Sequence, residues 1–506
     1  MFLNLVLRLQ LKLILIKFIL ITLTTNLYDI LSILERISTG VPGLDSLIEG
    51  GIPKGSTIMV VGNSGSGKTI LSSHFLYDGL TAQEENGLYI SFSESKAQFY
   101  SNLKTLGMDF DKFERQTKFA FLDFASLTKD GIQDALEEIL ATVRTLNPKR
   151  VVLDSFAAIS LAFEHQIEAR TAIHVILGKI LRSEGITSIL VMEIPRGKEN
   201  IGSGIEESVV DGIIHLENRE DNVLPVILRV FKMRGTSINR EPHVCTISKN
   251  GMMLYPKQRI RLTYAASEDR IFSGIPGLDE RIGNGFIKGS TTAIIGTSGT
   301  AKSTFAFQYI AEGVRKGEPG VFYSLGETAD EIRMMAKGYG YNIEELENNG
   351  LSILLGSVDD DSPDALISSL AAEIKRTKAK RLVINSLSAF ESKYKDDMYI
   401  IAKRIISLIQ EHHLTAVITI LTTQKSGFEV SGLNLSPLFQ NIILLRFVEI
   451  QGRMKRVLAV LKMRGTEHDE SILEFRISSE SGARILGSMD KDYMGIFTGV
   501  ARRAEV

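Results

Sequence analysis

The chain has 506 residues, a length that exceeds one hydrophobic core and predicts roughly two to four domains. Hydrophobic residues make up 44% of it, and 58 Lys plus Arg stand against 60 Asp plus Glu, so the composition is that of a globular protein and argues against nucleic acid as a partner. The single cysteine, Cys245, excludes an intramolecular disulfide and predicts a reducing, cytoplasmic location.

Residues 1–35 form an atypical apolar extension. The stretch "LNLVLRLQLKLILI" alternates leucine with other residues, and Arg8, Lys12 and Lys17 interrupt every run long enough to cross a bilayer. Three interpretations stay open: an extension that is not native, a packing or interfacial segment, and a membrane anchor. A membrane is not among the expected partners, and the extension is left out of the fold prediction.

The rest of the chain repeats itself. Residues 37–69 align without a gap on residues 271–303, with 16 of 33 positions identical. Further on, "RVVLDSFAAI" corresponds to "RLVINSLSAF" and "VFKMRGT" to "VLKMRGT". Two homologous domains in tandem follow from this duplication. The predicted boundaries place the first domain at 36–255, a linker at 256–270, the second domain at 271–485 and a tail at 486–506.

Within each domain, apolar runs rich in β-branched residues alternate with segments whose apolar residues have helical spacing. "STIMVVG", "RVVLDS" and "TSILVME" are typical of buried strands, while "KTILSSHFLYDGL" places Leu71, Phe75 and Leu76 on one side of a helix. Strands that alternate with helices predict an α/β fold in which a mostly parallel central sheet is flanked by helices.

"GNSGSGKT" lies between the first predicted strand and its helix and fits the P-loop (Walker A) pattern of ATP-binding proteins at every position. Its glycines let backbone N–H groups close around phosphate oxygens, the lysine bridges β- and γ-phosphates, and the threonine hydroxyl faces Mg²⁺. The predicted ATP-binding residues are Gly62, Asn63, Ser64, Gly65, Ser66, Gly67, Lys68 and Thr69.

Two carboxylates end predicted strands on the side where open α/β sheets bind ligands. Asp154 ends "RVVLD", the place of a second magnesium ligand, although a strand-terminal aspartate that starts a turn is the plainer alternative. Glu94 ends "GLYISFSE", where it can polarise the water that attacks the γ-phosphate; a solvated surface glutamate is an equal alternative.

These motifs occur in order and twice, and by them the chain resembles the KaiC family of tandem RecA-like P-loop ATPases over roughly residues 36–480. The resemblance implies two RecA-like domains, ATP and Mg²⁺ as cofactors, and a homo-hexameric ring with nucleotide held between neighbouring subunits. It also implies slow ATP hydrolysis, with self-phosphorylation of the second domain in clock members. An unknown signalling protein is the expected partner.

In the first domain the resemblance assigns the family's acidic pair to Ser93 and Glu94, so one carboxylate remains. It implies that Lys232 and Arg234 reach the γ-phosphate of a neighbouring subunit, a role that suits their charge. A solvated loop is the alternative for both. A histidine that follows in the family corresponds to Ile238.

In the second domain the departures from the family accumulate. The acidic pair falls on Gly326 and Glu327, and Asn385 stands where the first domain has Asp154, which weakens the positioning of Mg²⁺. Ala301 is the mildest change unless the backbone there requires glycine. Nucleotide binding is still expected, at Gly296, Thr297, Ser298, Gly299, Thr300, Ala301, Lys302, Ser303, Glu327, Lys462, Arg464 and His468, with Ser303 as a metal ligand.

The phosphorylated serine and threonine pair of clock members corresponds to Ser436 and Pro437. Proline has no hydroxyl, so two-site autophosphorylation is not expected, and Ser431 and Ser436 stay as possible acceptors.

The expected function is therefore an ATPase whose first domain hydrolyses ATP and whose second domain is regulatory. The alternatives are a clock-type serine/threonine autokinase, a RecA-like DNA-dependent ATPase and a non-catalytic scaffold. The DNA-dependent alternative needs basic loops that face DNA, and "PRGKEN" at 195–200 is the one such stretch.

Overall fold

The computed structural model describes residues 35–125, 132–155, 184–194, 210–218, 226–257, 260, 267–422, 435–450 and 452–489, with 493–494 and 502–503. The chain divides into two compact units after Lys257. This break lies inside the predicted linker, although Arg270 at the end of that linker already pairs with Ile287 in a strand. Across the described residues, no helix combines the length and apolarity that a bilayer span requires.

The first unit alternates strands with helices, as predicted. Its strands are β1 Arg36–Ile37, β2 Ile52–Pro53, β3 Thr57–Gly62, β4 Gly87–Ser91, β5 Phe119–Asp123, β6 Arg150–Asp154, β7 Thr187–Glu193, β8 Gly212–Glu217, β9 Val226–Met233, β10 His243–Ser248 and β11 Gly251–Tyr255. Its described helices are Leu44–Leu47, Lys68–Ala82, Lys96–Thr105, Asp111–Arg115 and Ile132–Leu146.

The central sheet has the order β11-β10-β9-β8-β3-β7-β6-β4-β5. The strands from β8 to β5 are parallel, and β9, β10 and β11 continue the sheet in antiparallel pairs. Ile58 and Val60 of β3 enter one apolar cluster, while Met59 and Val61 enter another. Because successive side chains of a strand point to opposite faces, this sheet is covered on both sides, and the predicted fold class is confirmed.

The second unit repeats this arrangement. Its strands are β12 Arg270–Ile271, β13 Phe286–Ile287, β14 Thr291–Gly296, β15 Gly320–Ser324, β16 Leu351–Leu355, β17 Arg381–Asn385, β18 Thr415–Leu421, β19 Asn441–Ile450, β20 Arg453–Met463, β21 Leu473–Ser478, β22 Gly482–Ser488, β23 Tyr493–Met494 and β24 Arg502–Arg503. Its α-helices are Lys302–Arg315, Ala329–Gly338, Ile343–Asn348, Pro363–Thr377 and Met398–Glu411. Short 3₁₀ helices span Asp279–Ile282, Leu387–Ser392, Lys395–Asp397 and Ser436–Leu438.

The second sheet has the order β16-β15-β17-β18-β14-β19-β20-β21-β22, the same topology as the first. Ala293 and Ile295 of β14 enter one apolar cluster and Ile294 enters the other, so this sheet too is buried on both faces. Strand β22 continues to Ser488 because Leu473 pairs with Ser488 across the ladder. The predicted end of this domain at residue 485 therefore falls inside a strand.

A buried arginine at the start of β6 fixes the helix that follows the first loop. The Arg150 guanidinium is bonded to Glu85 at 2.6 Å and donates to the Phe75 carbonyl at 2.6 Å. Arg381 holds the equivalent helix of the second unit through Glu318 and the Tyr309 carbonyl. A buried charge is tolerated only when it is fully paired. These contacts therefore hold each helix against the strand that carries the arginine, β6 in the first unit and β17 in the second.

Candidate functional site

In the first unit the glycine-rich loop joins the carboxyl end of β3 to the helix Lys68–Ala82. Gly65 and Gly67 have φ angles of 75° and 87°, a left-handed conformation that favours glycine. Lys68 folds back over the loop, and its Nζ donates to the Asn63 carbonyl at 2.7 Å. The Ser66 Oγ is buried without a hydrogen-bond partner among the described residues. A helix N-terminus, a folded-back lysine and an unpaired buried hydroxyl fit a phosphate group.

The loop of the second unit has the same geometry. Lys302 starts its helix, and its Nζ donates to the Thr297 carbonyl at 2.9 Å. Ala301 has a φ of 78°, so the backbone at this position does require the conformation that glycine adopts readily. Ala301 is therefore a more costly change than the sequence suggested, because its Cβ disfavours the left-handed region.

The strands beside each loop explain how Ala301 is accommodated. A Cβ added to Gly67 would lie 2.7 Å from the Cδ1 of Ile247 and 2.8 Å from the Cε of Met252. In the second unit Ala483 stands where Met252 does, one residue after the glycine that begins the strand, and Ala301 packs against the apolar cluster that contains Ala483. The shorter side chain at Ala483 leaves room for the extra methyl group.

We expect Gly67→Ala to destabilise the first unit by about 2 kcal/mol, from left-handed strain and overlap with Met252. Chemical denaturation of the full chain measures this loss. The matched control is Ala301→Gly, which relieves strain and stabilises the second unit by less than about 1 kcal/mol. Met252→Ala combined with Gly67→Ala should cost less than the sum of the two single changes. Additive losses would contradict the steric explanation.

The structure brings Asp154 to the start of the first-unit helix. Thr69 Oγ1 donates to Asp154 Oδ2 at 2.8 Å, and the Tyr89 hydroxyl donates to the same oxygen at 2.7 Å. Burial raises the pKa of Asp154, while these two hydrogen bonds and the charge of Lys68 oppose the rise. A hydroxyl and a carboxylate side by side are the oxygen ligands that Mg²⁺ prefers, so the predicted pair fits that ion.

Glu94 follows β4, and its carboxylate is bonded to a residue of the next helix. Its Oε1 accepts a hydrogen bond from Asn102 Nδ2 at 2.7 Å, the partner of this carboxylate among the described residues. Burial raises the pKa of Glu94, and the hydrogen bond from Asn102 lowers it. Asn102 was not predicted from the sequence, because a lone asparagine within a helix belongs to no motif.

A third carboxylate lies beside the first loop and was missed. Glu193 ends β7, and its backbone pairs with Gly62 of β3. Burial lowers the pKa of Lys68, whereas the charges of Glu193 and Asp154 raise it. The strand-end rule that selected Asp154 would have selected Glu193 as well. In the second unit the equivalent residue is Leu421, which ends β18 beside Gly296.

The second unit assembles a different polar cluster. Ser303 Oγ donates to Glu327 Oε1 at 3.0 Å, and Asn385 Nδ2 donates to Glu327 Oε2 at 2.8 Å. Thr419 Oγ1 donates to Asn385 Oδ1 at 2.7 Å from the neighbouring strand. Burial lowers the pKa of Lys302, and the charge of Glu327 raises it. Ser303 Oγ also lies 3.3 Å from Asn385 Oδ1 and 3.2 Å from its Nδ2, so the three side chains form one cluster. Glu327 was among the predicted residues, but these contacts were not predicted.

A cavity of about 610 Å³ opens over the second loop, within the size range of small-molecule sites. Loop residues, Glu327 and Asn385 line it together with Tyr339 and Arg456. The Arg456 guanidinium lies 5.0 Å from the centroid of the Phe447 ring, and its Nε is buried without a hydrogen-bond partner among the residues described. A cationic group of this kind beside a phosphate-binding loop fits a nucleotide, and no motif indicated it.

The residues that the resemblance implies reach the nucleotide of a neighbouring subunit lie at or after the ends of β9 and β20. Lys232 Nζ donates to the Val210 carbonyl at 2.8 Å, and Arg234 forms an ion pair with Asp211 at 2.9 Å. Lys462 Nζ donates to the Phe439 carbonyl at 2.7 Å. Arg464 is exposed and His468 is half-buried on the segment after β20.

One of the two possible phosphoacceptors lies within the described residues. Ser436 is half-buried at the start of a 3₁₀ turn, and its carbonyl accepts a hydrogen bond from Lys462. Ser431 and the basic stretch 195–200 lie outside the described residues.

Comparison with known proteins matches both units. The model of the family described as "ATPase: KaiC" matches residues 37–259 and 271–490. The circadian clock oscillator protein KaiC of Picosynechococcus sp. is 31% identical over 487 residues, with 93% of each chain covered. The protein of the same name from Thermostichus vulcanus is 30% identical over 487 residues, again with 93% of each covered. The circadian clock protein KaiC3 of Synechocystis sp. is 30% identical over 481 residues, covering 92% of this chain and 94% of the relative.

Proposed function

Because the chain belongs to the KaiC family of ATPases, we propose that it is a signalling or clock-type ATPase with divided roles. The first domain hydrolyses ATP slowly, and the second binds nucleotide as a structural or regulatory element. The contrast between the two sites carries the proposal. Asp154 and Glu193 lie beside the first loop, whereas Asn385 and Leu421 occupy the equivalent positions of the second site; Glu94 and Glu327 are common to both.

The roles of the residues follow from their places around the first loop. Lys68 neutralises charge on the β- and γ-phosphates, and the loop backbone orients them. Thr69 and Asp154 would hold Mg²⁺, which withdraws charge from the phosphate oxygens when bound. Glu94 accepts a hydrogen bond from the attacking water and orients it toward the γ-phosphate. Asn102 keeps Glu94 in place until the water arrives.

Phosphate release from Mg-ATP by the purified full chain tests the proposal directly. We expect slow, metal-dependent turnover that stops in EDTA. A chain that binds ATP and assembles but releases no phosphate would support a non-catalytic scaffold instead.

We also propose that the active form is a homo-hexameric ring in the cytoplasm, acting on a signalling partner that the sequence does not identify. In such a ring Lys232 and Arg234 complete the site of a neighbouring subunit. Arg234 suits this role because its side chain is 55% exposed while Asp211 holds its guanidinium at 2.9 Å. Autophosphorylation is proposed to be slight, since Gly326 and Pro437 remove a base and an acceptor.

The pH dependence of hydrolysis tests the role of Asn102. Its hydrogen bond lowers the pKa of Glu94, so Asn102→Leu should raise that pKa further. Protonated Glu94 is no longer a base that can polarise the attacking water, and the acid limb of the kcat profile should therefore move to higher pH. Ser101→Leu, an exposed change on the same helix, is the control and should leave the profile unchanged. An acid limb that stays in place would contradict the role given to Glu94.

A further inference from the structure

The helix that follows each loop begins with a hydroxyl that donates to a carboxylate, but the carboxylates come from different strands. Thr69 donates to Asp154, which ends β6. Ser303 donates to Glu327, which follows β15. Ser303 also lies 3.3 Å from the amide oxygen of Asn385, the residue in the place of Asp154, but its carboxylate partner is Glu327. The hydrogen bond from a metal-binding hydroxyl to a carboxylate is therefore kept in both units, with a carboxylate from a different strand in each.

The amide of Asn385 cannot replace the missing aspartate. Facing the Glu327 carboxylate, which only accepts hydrogen bonds, the amide presents its NH₂ group at 2.8 Å. Its Oδ1 accepts the Thr419 hydroxyl at 2.7 Å and lies 3.3 Å from Ser303 Oγ, a longer contact than the 3.0 Å between Ser303 Oγ and Glu327. The amide is neutral and its NH₂ group is occupied by Glu327, so Asn385 supplies no anionic ligand for a cation.

The neighbouring substitutions release Glu327 for this contact. The two backbones match, because a serine hydroxyl caps the glutamate N–H in each unit, Ser91 for Glu94 and Ser324 for Glu327, at 3.0 Å in both. Counted from these glutamates, Asn102 corresponds to Met335, which offers no amide to a carboxylate. Glu327 therefore turns toward Ser303 instead of along its own helix.

Two more differences between the units accompany the replacement of the strand-end aspartate by asparagine. Tyr89, whose hydroxyl donates to Asp154, corresponds to Phe322, which has no hydroxyl. Val191, whose side chain is apolar, corresponds to Thr419. In the first unit the supporting hydroxyl comes from β4, which is equivalent to β15. In the second unit it comes from β18, which is equivalent to β7. Its target has changed from a carboxylate oxygen to an amide oxygen.

We propose that Glu327 is the carboxylate that holds Mg²⁺ with Ser303 at the second-domain loop, in the place that Asp154 takes at the first. The inference deepens the proposed function and rests on its claim that the second domain binds nucleotide. The second site is then a metal-nucleotide site with a relocated ligand. Asn385 acts as a positioning residue that orients Glu327 through its NH₂ group.

Metal binding in the presence of ADP tests this assignment without relying on turnover. In a full-length Lys68→Ala chain, which removes the first site, Mn²⁺ binding with ADP is followed by electron paramagnetic resonance. We expect Glu327→Gln to weaken Mn²⁺ binding at least about tenfold. The affinity for ADP in EDTA, measured by calorimetry, should stay unchanged, because the amide keeps the shape of the side chain. Adding Asn385→Asp to Glu327→Gln should restore metal binding by supplying a carboxylate.

The matched control uses the first site. In a Lys302→Ala chain, Glu94→Gln should leave Mn²⁺ binding with ADP nearly unchanged, because Asp154 is the carboxylate bonded to Thr69. Unchanged Mn²⁺ binding in Glu327→Gln, or an equal loss in Glu94→Gln, would overturn the assignment. A Lys68→Ala chain that binds no ADP, with or without metal, would overturn the proposed nucleotide site itself and the assignment with it.

Discussion

Lys68→Ala should lower ATP turnover to about a hundredth of the unmodified rate, whereas Lys302→Ala should keep most of it. Removing a preorganised group that stabilises transferring phosphate costs roughly 10² to 10³ in rate. The two lysines have the same geometry, each donating to the carbonyl at the start of its loop. The difference must therefore come from what surrounds each loop, and the first site has the carboxylates Asp154 and Glu94.

Steady-state phosphate release measures both variants, and a sizing column with ATP shows whether each still assembles. The two changes are chemically identical and serve as controls for one another. An equal loss from both would contradict the division of roles, and a larger loss from Lys302→Ala would reverse it. A variant that no longer assembles is compared with the unmodified chain at a concentration where that chain is also dissociated.

Arg234→Ala should lower turnover by about a hundredfold or more, since an arginine supplied in trans to a transferring phosphate is worth roughly 10³ or more in several NTPases. The matched control is Arg464→Ala, the same change at the equivalent position of the second unit, which should leave most turnover intact. Nucleotide affinity of the dissociated subunit should be unchanged in both variants, because Arg234 pairs with Asp211 in its own unit.

Mixing two inactive variants distinguishes a trans contact from a local one. Subunits with Arg234→Ala keep Lys68, and subunits with Lys68→Ala keep Arg234, so a mixed ring contains some complete sites. Random mixing in equal amounts should restore about a quarter of the sites, because each needs the right subunit and the right neighbour. A mixture that stays inactive would show that Arg234 acts within its own subunit or only supports the fold.

The carboxylates show where prediction from the sequence succeeded and where it stopped. Asp154 was identified because it ends an apolar strand, and the structure places it against Thr69. Glu94 was identified by the same rule, yet its contact with Asn102 depends on a residue on the next helix. Glu193 satisfies the rule equally and was overlooked, since its nearness to Lys68 follows from the order of the strands.

Ala301 shows how a single substitution depends on its surroundings. The sequence identifies a small residue in place of glycine and cannot give the φ angle there. The structure gives a φ of 78° and places Ala301 in the cluster with Ala483, a residue far along the chain whose importance no local pattern indicates. The cost of the change is set by backbone strain, and its tolerance is set by the space that a neighbouring strand leaves.

The sequence by itself determined the duplication, the alternation of strands and helices, the two phosphate-binding loops and the positions of their lysines. These features depend on residue type, periodicity and spacing along the chain, which are local properties. The tertiary structure alone decided that Ser303 bonds to Glu327, that Asn385 offers its NH₂ group, and that Arg456 lines the second cavity. Such contacts join residues from separate strands and helices, and their geometry depends on strand order and side-chain packing, which no local pattern encodes.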